Sequence, residues 1–413
     1  MTIDPTAFLA DFASMSSIGA TPRGGVDRQA ATAADGRTRH WFRGLCEAHG
    51  FEVRCDAVGN QFALLELVPG APYVAIGSHL DSQPLGGRFD GAYGVLAAAH
   101  AAAAVRDGLG EGEARFNLAV VNWFNEEGCR FKPSMMGSSV FTGKLDAEQA
   151  LATADPAGVT VREALEAIDG LGDAEVDLAA YLEIHIEQGR SLEDAGATIG
   201  LVESTWGADK YEYTVHGEQS HTGATVIADR RDALFAAASM VVAAREVAER
   251  FTDDGGMVIT SCGEFTVFPN SPVVVASRVD LLVDVRATDP ERLAEADAEL
   301  RRRIDEIGER AGVRIERGAE HHWGANEYDR AGMELARACA DDLGLEHRVV
   351  RTLAGHDSTN LKDHVPTIML FVPSAEGITH NELERTSDDD MLAGLRLLEV
   401  LAARVVRGEF VRG

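Results

Sequence analysis

The stretch Pro72-Tyr73-Val74-Ala75-Ile76-Gly77-Ser78, followed by His79-Leu80-Asp81, decides the fold. Its first seven residues are short, partly β-branched and end in polar side chains, which reads as a strand. A glycine-rich turn, Gly86-Gly87-Arg88-Phe89-Asp90-Gly91, leads into an alanine-dominated run, 92–105, of high helix propensity. Outward from this unit, 116–124 (FNLAVVNWF) reads as a second buried strand, and 181–187 (YLEIHIE) alternates residue types with period two. Strands separated by helices predict α/β layers around a largely parallel sheet.

The texture changes between about 205 and 325. Residues 210–215 (KYEYTV) alternate like a half-exposed strand, and 229–250 form a long amphipathic pattern. Residues 257–260, 265–268 and 279–285 read as further strands, and 290–311 as a helix with a solvated face. This is an α+β unit inserted into the first domain. Afterwards 349–353, 367–372 (TIMLFV) and a helix over 388–406 return to the α/β pattern.

Composition narrows the function. A length of 413 residues suggests two or three domains, at roughly 150 residues each. Lys+Arg number 38 against 67 Asp+Glu, a formal charge of −29, so nucleic acid is excluded as a partner by repulsion. No run approaches the ~18 apolar residues of a membrane helix. The start MTIDPTAFLADF carries acids where a secretory signal carries basic residues, so a cytoplasmic address is expected. Five scattered cysteines without a C-x-x-C pair argue against a disulfide framework or a structural zinc knuckle.

Five segments concentrate His, Asp and Glu at predicted strand ends: 77–91, Asn125-Glu126-Glu127-Gly128, Glu183-Ile184-His185-Ile186-Glu187-Gln188-Gly189, Gly355-His356-Asp357-Ser358 and Thr379-His380-Asn381-Glu382-Leu383-Glu384. His79 is followed by Asp81, which could orient its ring, and by Asp90 at the far end of the turn. His100, among alanines, reads as a satisfied histidine instead. Adjacent acids such as Glu126 and Glu127 after an apolar strand are costly unless solvated or bound to cations. One could ligate a metal and the other act as a base. His185 stands mid-strand, where an apolar residue is the default, although an exposed polar face would also fit the pattern. Three imidazoles, an Asp and a Glu suit two divalent cations about 3.5–4 Å apart, a pair that lowers the pKa of bound water from 15.7 to about 7. The chemistry is then hydrolysis, with a spare carboxylate moving protons.

The runs GSHLDSQPLGGRFDG, NEEGCRF followed by MMGS, EIHIEQG, GHDS and FVPSAEGITHNELE resemble, in order and over nearly the whole chain, the hydantoinase/carbamoylase amidases of the M20 metallopeptidase family. That family includes N-carbamoyl-L-amino acid hydrolases, β-ureidopropionases and allantoate amidohydrolases. The resemblance implies a binuclear-metal catalytic α/β domain (1–204 and 326–413) with an inserted α+β lid and dimerisation domain (205–325), working as a cytoplasmic homodimer on a small amide. By motif, His79 and His185 would hold one divalent ion, Glu127 and His380 the other, and Asp90 both. Zinc is the expected metal, with manganese, cobalt or nickel as alternatives. Glu126 would be the general base and Asp81 would orient His79. His221, within Gly217-Glu218-Gln219-Ser220-His221-Thr222-Gly223, would stabilise the oxyanion in the partner subunit's site. Arg286 would grip a substrate carboxylate with its bidentate fork, and Gln188 and Gly355 would contact substrate.

One departure stands out. The family's Asn-Val-(Val/Ile)-Pro run is Val273-Val274-Val275-Ala276 here, so Val273 replaces a substrate-contacting amide, and Asn270 is the nearest substitute. The expected reaction is hydrolysis of a linear C–N amide in an N-carbamoyl or ureido amino compound. The runner-up is an N-acyl amino acid amidase or small-peptide hydrolase on the same scaffold. A catalytically silent scaffold would have lost ligands or base, yet Glu126, Glu127 and the three histidines are present. A thiol mechanism through Cys129 is disfavoured by its anionic neighbours. Ser78 lacks a nucleophile-elbow context.

Overall fold

In chain order the strands are β1 (Glu52–Cys55), β2 (Gln61–Leu65), β3 (Tyr73–His79), β4 (Asn117–Trp123), β5 (Leu178–Ile186) and β6 (Ile199–Thr205), then β7 (Gly207–His216), β8 (Ser220–His221), β9 (Val258–Phe268), β10 (Val274–Val275), β11 (Arg278–Ala287) and β12 (Arg314–Trp323), and finally β13 (Asn326–Glu327), β14 (His347–Thr352) and β15 (Thr367–Val372). The computed structural model describes residues 3–253, 256–352 and 354–411. Its chain forms two units, 1–204 with 327–413, and 205–326.

The larger unit is built on a mixed sheet of order β1-β2-β4-β3-β5-β15-β6, with β13 and β14 beside β6. β3, β4, β5 and β15 run parallel, while β1, β2 and β6 pair antiparallel with their neighbours. The chain passes from β3 to β4 on one side and then to β5 on the other. Such a reversal opens a crevice at the carboxyl ends of the parallel strands.

The parallel strands are covered on both faces, so their sequences read as nearly continuous apolar runs. Val74 and Ile76 of β3 face one core with Leu118, Val120, Leu182 and Ile184, whereas Ala75 faces another with Phe62, Val121, Trp123 and Tyr181. Under the first face lies the helix Ala92–Gly108, which buries residues all round its circumference. Alanine favours the helix intrinsically, and its small side chain lets the backbone approach both the sheet and the helix Asp388–Val406. All nine residues of β5 are buried, so Glu183 and His185 do not lie on an exposed polar face. Glu183 is instead satisfied internally, by Ser78 Oγ and the Ser358 N–H, both at 2.8 Å.

The inserted unit is an antiparallel sheet of order β12-β7-β11-β9. Tyr211, Val215, Val279, Leu281, Val283 and Val285 point from it into a core shared with helices Ala233–Phe251 and Pro290–Ala311. The helix expected over 229–250 starts later, because Asp232 caps it by accepting the Phe235 N–H, and Ile227–Asp229 is a separate 3-10 turn. The strands expected at 257–260 and 265–268 are one strand, β9, carried through its polar middle by pairing with β11 across one register shift. The strand expected over 349–353 is β14, and Leu353 lies outside the described residues.

Candidate metal centre

The parallel strands end at one edge of the sheet, and the chemistry collects there. His79 is the last residue of β3, Glu126 and Glu127 follow β4, His185 is the penultimate residue of β5, and His380 follows β15. Asp90 lies between β3 and the helix Ala92–Gly108.

Main-chain carbonyls fix both buried imidazoles. His79 Nδ1 lies 3.0 Å from the Asp81 carbonyl oxygen, and His185 Nδ1 lies 2.9 Å from that of Ile186. A carbonyl only accepts, so each Nδ1 carries a proton and each ring turns its Nε2 toward Asp90. Those nitrogens lie 3.5 Å and 3.0 Å from Asp90 Oδ1. His185 Nε2 also accepts the Gly91 N–H at 2.9 Å. Gly91 itself has φ +62°, and a Cβ there would sit 2.4 Å from the His79 ring, so this position requires glycine twice over.

On the other side of Asp90, its Oδ2 lies 3.4 Å from His380 Nε2, which is also 3.4 Å from Glu127 Oε2. The result is two sets, His79/Asp90/His185 and Asp90/Glu127/His380, each with ligand atoms within 4.8 Å of one another. Mixed imidazole and carboxylate donors of this kind suit zinc or another divalent first-row ion, and His79 and His185 carry the carbonyl support that metal-binding imidazoles use. The residues therefore fit a pair of cations sharing one carboxylate.

Glu126 is buried beside the first set, its Oε2 3.5 Å from His79 Nε2. Burial raises its carboxyl well above the usual range, and Asp357, Glu127 and Asp81 add to that against the opposing charge of His79. Burial works to lower His79, but Glu126, Asp90 and Asp81 outweigh it and hold the ring well above its ordinary value. Asp90 behaves in the opposite sense: burial alone would raise it, yet His185, His380 and His79 hold it well below the usual carboxylate range.

Asp81 meets His79 and does more besides. Its carboxylate lies 3.7 Å from His79 Nδ1 and also accepts the N–H of Glu126 at 3.2 Å and of Glu127 at 3.3 Å. The support for His79 comes from its main-chain carbonyl. Gln188 Nε2 donates to Asp90 Oδ2 at 2.9 Å, while its Oε1 is buried without a partner. Gly355 precedes His356, whose buried ring lies 4.6 Å from that of His185. His100, outside this cluster, bonds to Asp11 at 3.1 Å.

Three neighbours escaped the sequence reading. Gln83 holds Glu127, its N–H reaching Oε1 at 3.1 Å and its Nε2 reaching Oε2 at 2.8 Å. Thr379 Oγ1 lies 3.0 Å from Asp90 Oδ2, and Glu384 Oε1 accepts the N–H of Phe89 at 3.0 Å and of Asp90 at 3.1 Å. Burial pushes the Glu384 carboxyl up to about 7. Their only sequence signal was membership of segments quoted for His79 and His380.

His221, Asn270 and Arg286 belong to the inserted unit. His221 is exposed, and its Nδ1 accepts the N–H of Gly223 at 3.0 Å and of Ala224 at 3.1 Å, which places the proton on Nε2. β8 pairs with β10, His221 opposite Val274, and the Thr222 N–H bonds at 3.2 Å to the carbonyl of Val273, which lies in the turn just before β10 and is 58% exposed. Asn270 is exposed, at φ +52°. Arg286 is held by Asp284 through Nε at 3.0 Å and Nη2 at 2.8 Å. The described helices include none long and apolar enough to cross a membrane.

Residues 75–404 match the model of peptidase family M20/M25/M40. A protein of Mycolicibacterium smegmatis, named only as a hydrolase, is 56% identical over 410 residues, 97% of this chain and 93% of its own length. The N-carbamoyl-L-amino-acid amidohydrolase of Rhizobium meliloti is 36% identical over 388 residues, 93% of this chain and 92% of its own. The crystal structure of a hydantoinase/carbamoylase family amidase from Burkholderia vietnamiensis superposes with a TM-score of 0.93 at 36% identity, covering 98% of both chains. This chain belongs to peptidase family M20/M25/M40, on its hydantoinase/carbamoylase amidase branch.

Proposed function

We propose that this chain is a metal-dependent amidohydrolase cleaving the linear C–N amide of an N-carbamoyl or ureido amino compound. The observation that carries the reading is the sharing of Asp90 between two ligand sets beside the buried, unligated carboxyl of Glu126. His79 and His185 would hold one ion, Glu127 and His380 the other, with Asp90 common to both. When bound, such cations supply a water that is acidic near neutral pH and polarise the substrate carbonyl.

The chain's own residues do the rest. Glu126, drawn toward the proton by burial, takes it from the attacking water and delivers it to the leaving nitrogen as the C–N bond breaks. Asp81 keeps Glu126 and Glu127 in place by gripping their backbone. His221 offers an Nε2–H whose direction is set in advance by the two N–H groups on Nδ1, as an oxyanion donor should be. In the homodimer that the family resemblance implies, it serves the partner subunit's site. Arg286, already oriented by Asp284, is the carboxylate grip, and Gln188, Asn270 and Gly355 are assigned to substrate contact. Val273, where the family pattern has an amide, would make the substrate's flank less polar.

The test is a turnover screen of protein reconstituted with zinc, manganese, cobalt or nickel. Carbamoyl, ureido and acyl amino compounds are offered, and ammonia is measured. Only a carbamoyl or ureido group yields ammonia with CO₂. Release of a carboxylic acid from acyl substrates, with no ammonia from any carbamoyl compound, overturns the reading.

A further inference from the structure

We propose that Thr379 and Glu384 are positioning residues for the second ion set, Asp90/Glu127/His380, and that this set depends on them more than His79/Asp90/His185 does. The inference deepens the metal reading above and rests on it.

The two sets are held differently. His79 and His185 are buried residues of strands at the centre of the sheet, each ring tied to a main-chain carbonyl next to it. His380 lies in a loop, has φ +51°, and its side chain is 46% exposed. Among the described residues, its Nε2 lies 3.4 Å from each of Asp90, Glu127 and Gln188. His380 belongs to no helix or strand, and the loop's own bonds, such as Ala375 N–H to the Arg385 carbonyl at 2.8 Å, do not involve Asp90.

Thr379 and Glu384 supply that link. Thr379, immediately before His380, places its hydroxyl 3.0 Å from Asp90 Oδ2, the oxygen that faces His380. Glu384, four residues beyond His380, accepts the N–H groups of Phe89 and Asp90 on Oε1, and its Oε2 lies 3.2 Å from Thr379 Oγ1. One short segment thus carries a ligand and, on either side of it, the two groups that hold the other ligand's side chain and backbone. The fit is close: a Cβ at Gly87 would fall 1.9 Å from Glu384 Oε1. The turn at Thr21–Val26 braces the same pair of loops, with Thr21 Oγ1 bonded to Glu382 at 2.5 Å and Val26 paired with Gly86 at 3.0 Å and 2.9 Å. Carboxylate ligands need such outer partners, and losing one commonly costs about 10–100-fold in metal affinity.

The experiment titrates zinc into chelator-treated full-length protein by calorimetry, with metal content measured after desalting and folding checked by circular dichroism. Wild type is expected to take two ions. Thr379→Val and Glu384→Gln are expected to bind one ion about 10–100-fold more weakly and the other, held by His79 and His185, with a clearly smaller loss. Thr379→Ser, which restores the hydroxyl, is expected to recover the second ion. Two ions held at wild-type affinity in both Thr379→Val and Glu384→Gln overturn the proposal alone. A wild-type chain that takes up no ion overturns the metal reading and this proposal together.

Discussion

Asp81 holds Glu126 by its backbone, not by its side chain: Asp81 Oδ1 accepts the Glu126 N–H at 3.2 Å, and Oδ2 accepts the next N–H, of Glu127, at 3.3 Å. The carboxylate therefore aims two different acids at once. In Asp81→Asn, one acceptor becomes an NH₂ facing an N–H donor. We expect kcat to fall about 10–100-fold with weaker zinc uptake, the scale of losing an outer-sphere partner. Steady-state kinetics alongside zinc titration checks both halves, and wild-type values in each would remove Asp81 from this role.

Glu126→Gln keeps the shape of the side chain and removes its capacity to take a proton. Turnover should drop by roughly 10²–10⁴-fold, the usual contribution of general acid–base catalysis. Zinc stoichiometry should stay at the wild-type value, since Glu126 belongs to neither ligand set. A variant with unchanged kcat would show that another group moves the proton.

His221 is exposed, and its ring bonds are to its own loop. His221→Ala should therefore alter stability by no more than about 0.5 kcal/mol. It should nevertheless lower kcat/KM by roughly 10²–10³-fold, the cost of losing one oxyanion donor. Thermal melts and kinetics together distinguish this outcome from a surface residue, for which neither quantity would move.

Gly91→Ala should be damaging for two reasons that act together. A non-glycine residue at φ +62° costs on the order of 1–2 kcal/mol, and the added methyl would sit 2.4 Å from the His79 ring. The expected result is a lower melting temperature and weakened zinc binding in the His79/Asp90/His185 set. Wild-type uptake of both ions would show that the ring and loop can shift without loss.

Cys129 should be a slow thiol. Burial raises its pKa above the ordinary cysteine value, and Asp81 and Glu127 push it further. Because the thiolate is the reactive form, a raised pKa lowers reactivity at every pH below it. Labelling by a disulfide reagent should be slower than for a small free thiol at pH 7–8 and should keep rising with pH past 9. Cys129→Ser should retain turnover. Fast labelling at neutral pH would contradict the buried, anion-flanked setting.

Several features were legible because they are local. The β-branched run before His79 and the alanine run after Gly91 declare strand and helix by propensity and period, and they form β3 and Ala92–Gly108. Other features were not. Asp81 lies two residues from His79 and faces it, but its bonds to the backbone of Glu126 and Glu127 come from β4's exit loop and have no sequence signal. Glu183 and His185 alternate like a half-exposed strand, but β5 is flanked by β3 and β15 and covered on both faces, so both are buried. Asp232, not Asp229, begins the inserted unit's first long helix, because a capping bond decides the start.

By itself the sequence determined which residue types stand where: strand ends carrying histidine, paired acids after an apolar run, and a glycine before a helix. Those depend on spacing and side-chain chemistry, which the chain carries unfolded. The tertiary structure decided which groups meet. Asp90 touches His380 across 289 intervening residues, Glu384 reaches back to the Asp90 backbone, and Gln83 rather than a neighbour in sequence braces Glu127. Hydrogen bonds act over about 3 Å and are indifferent to separation along the chain, so only the packing of parallel strand ends at one sheet edge selects these partners.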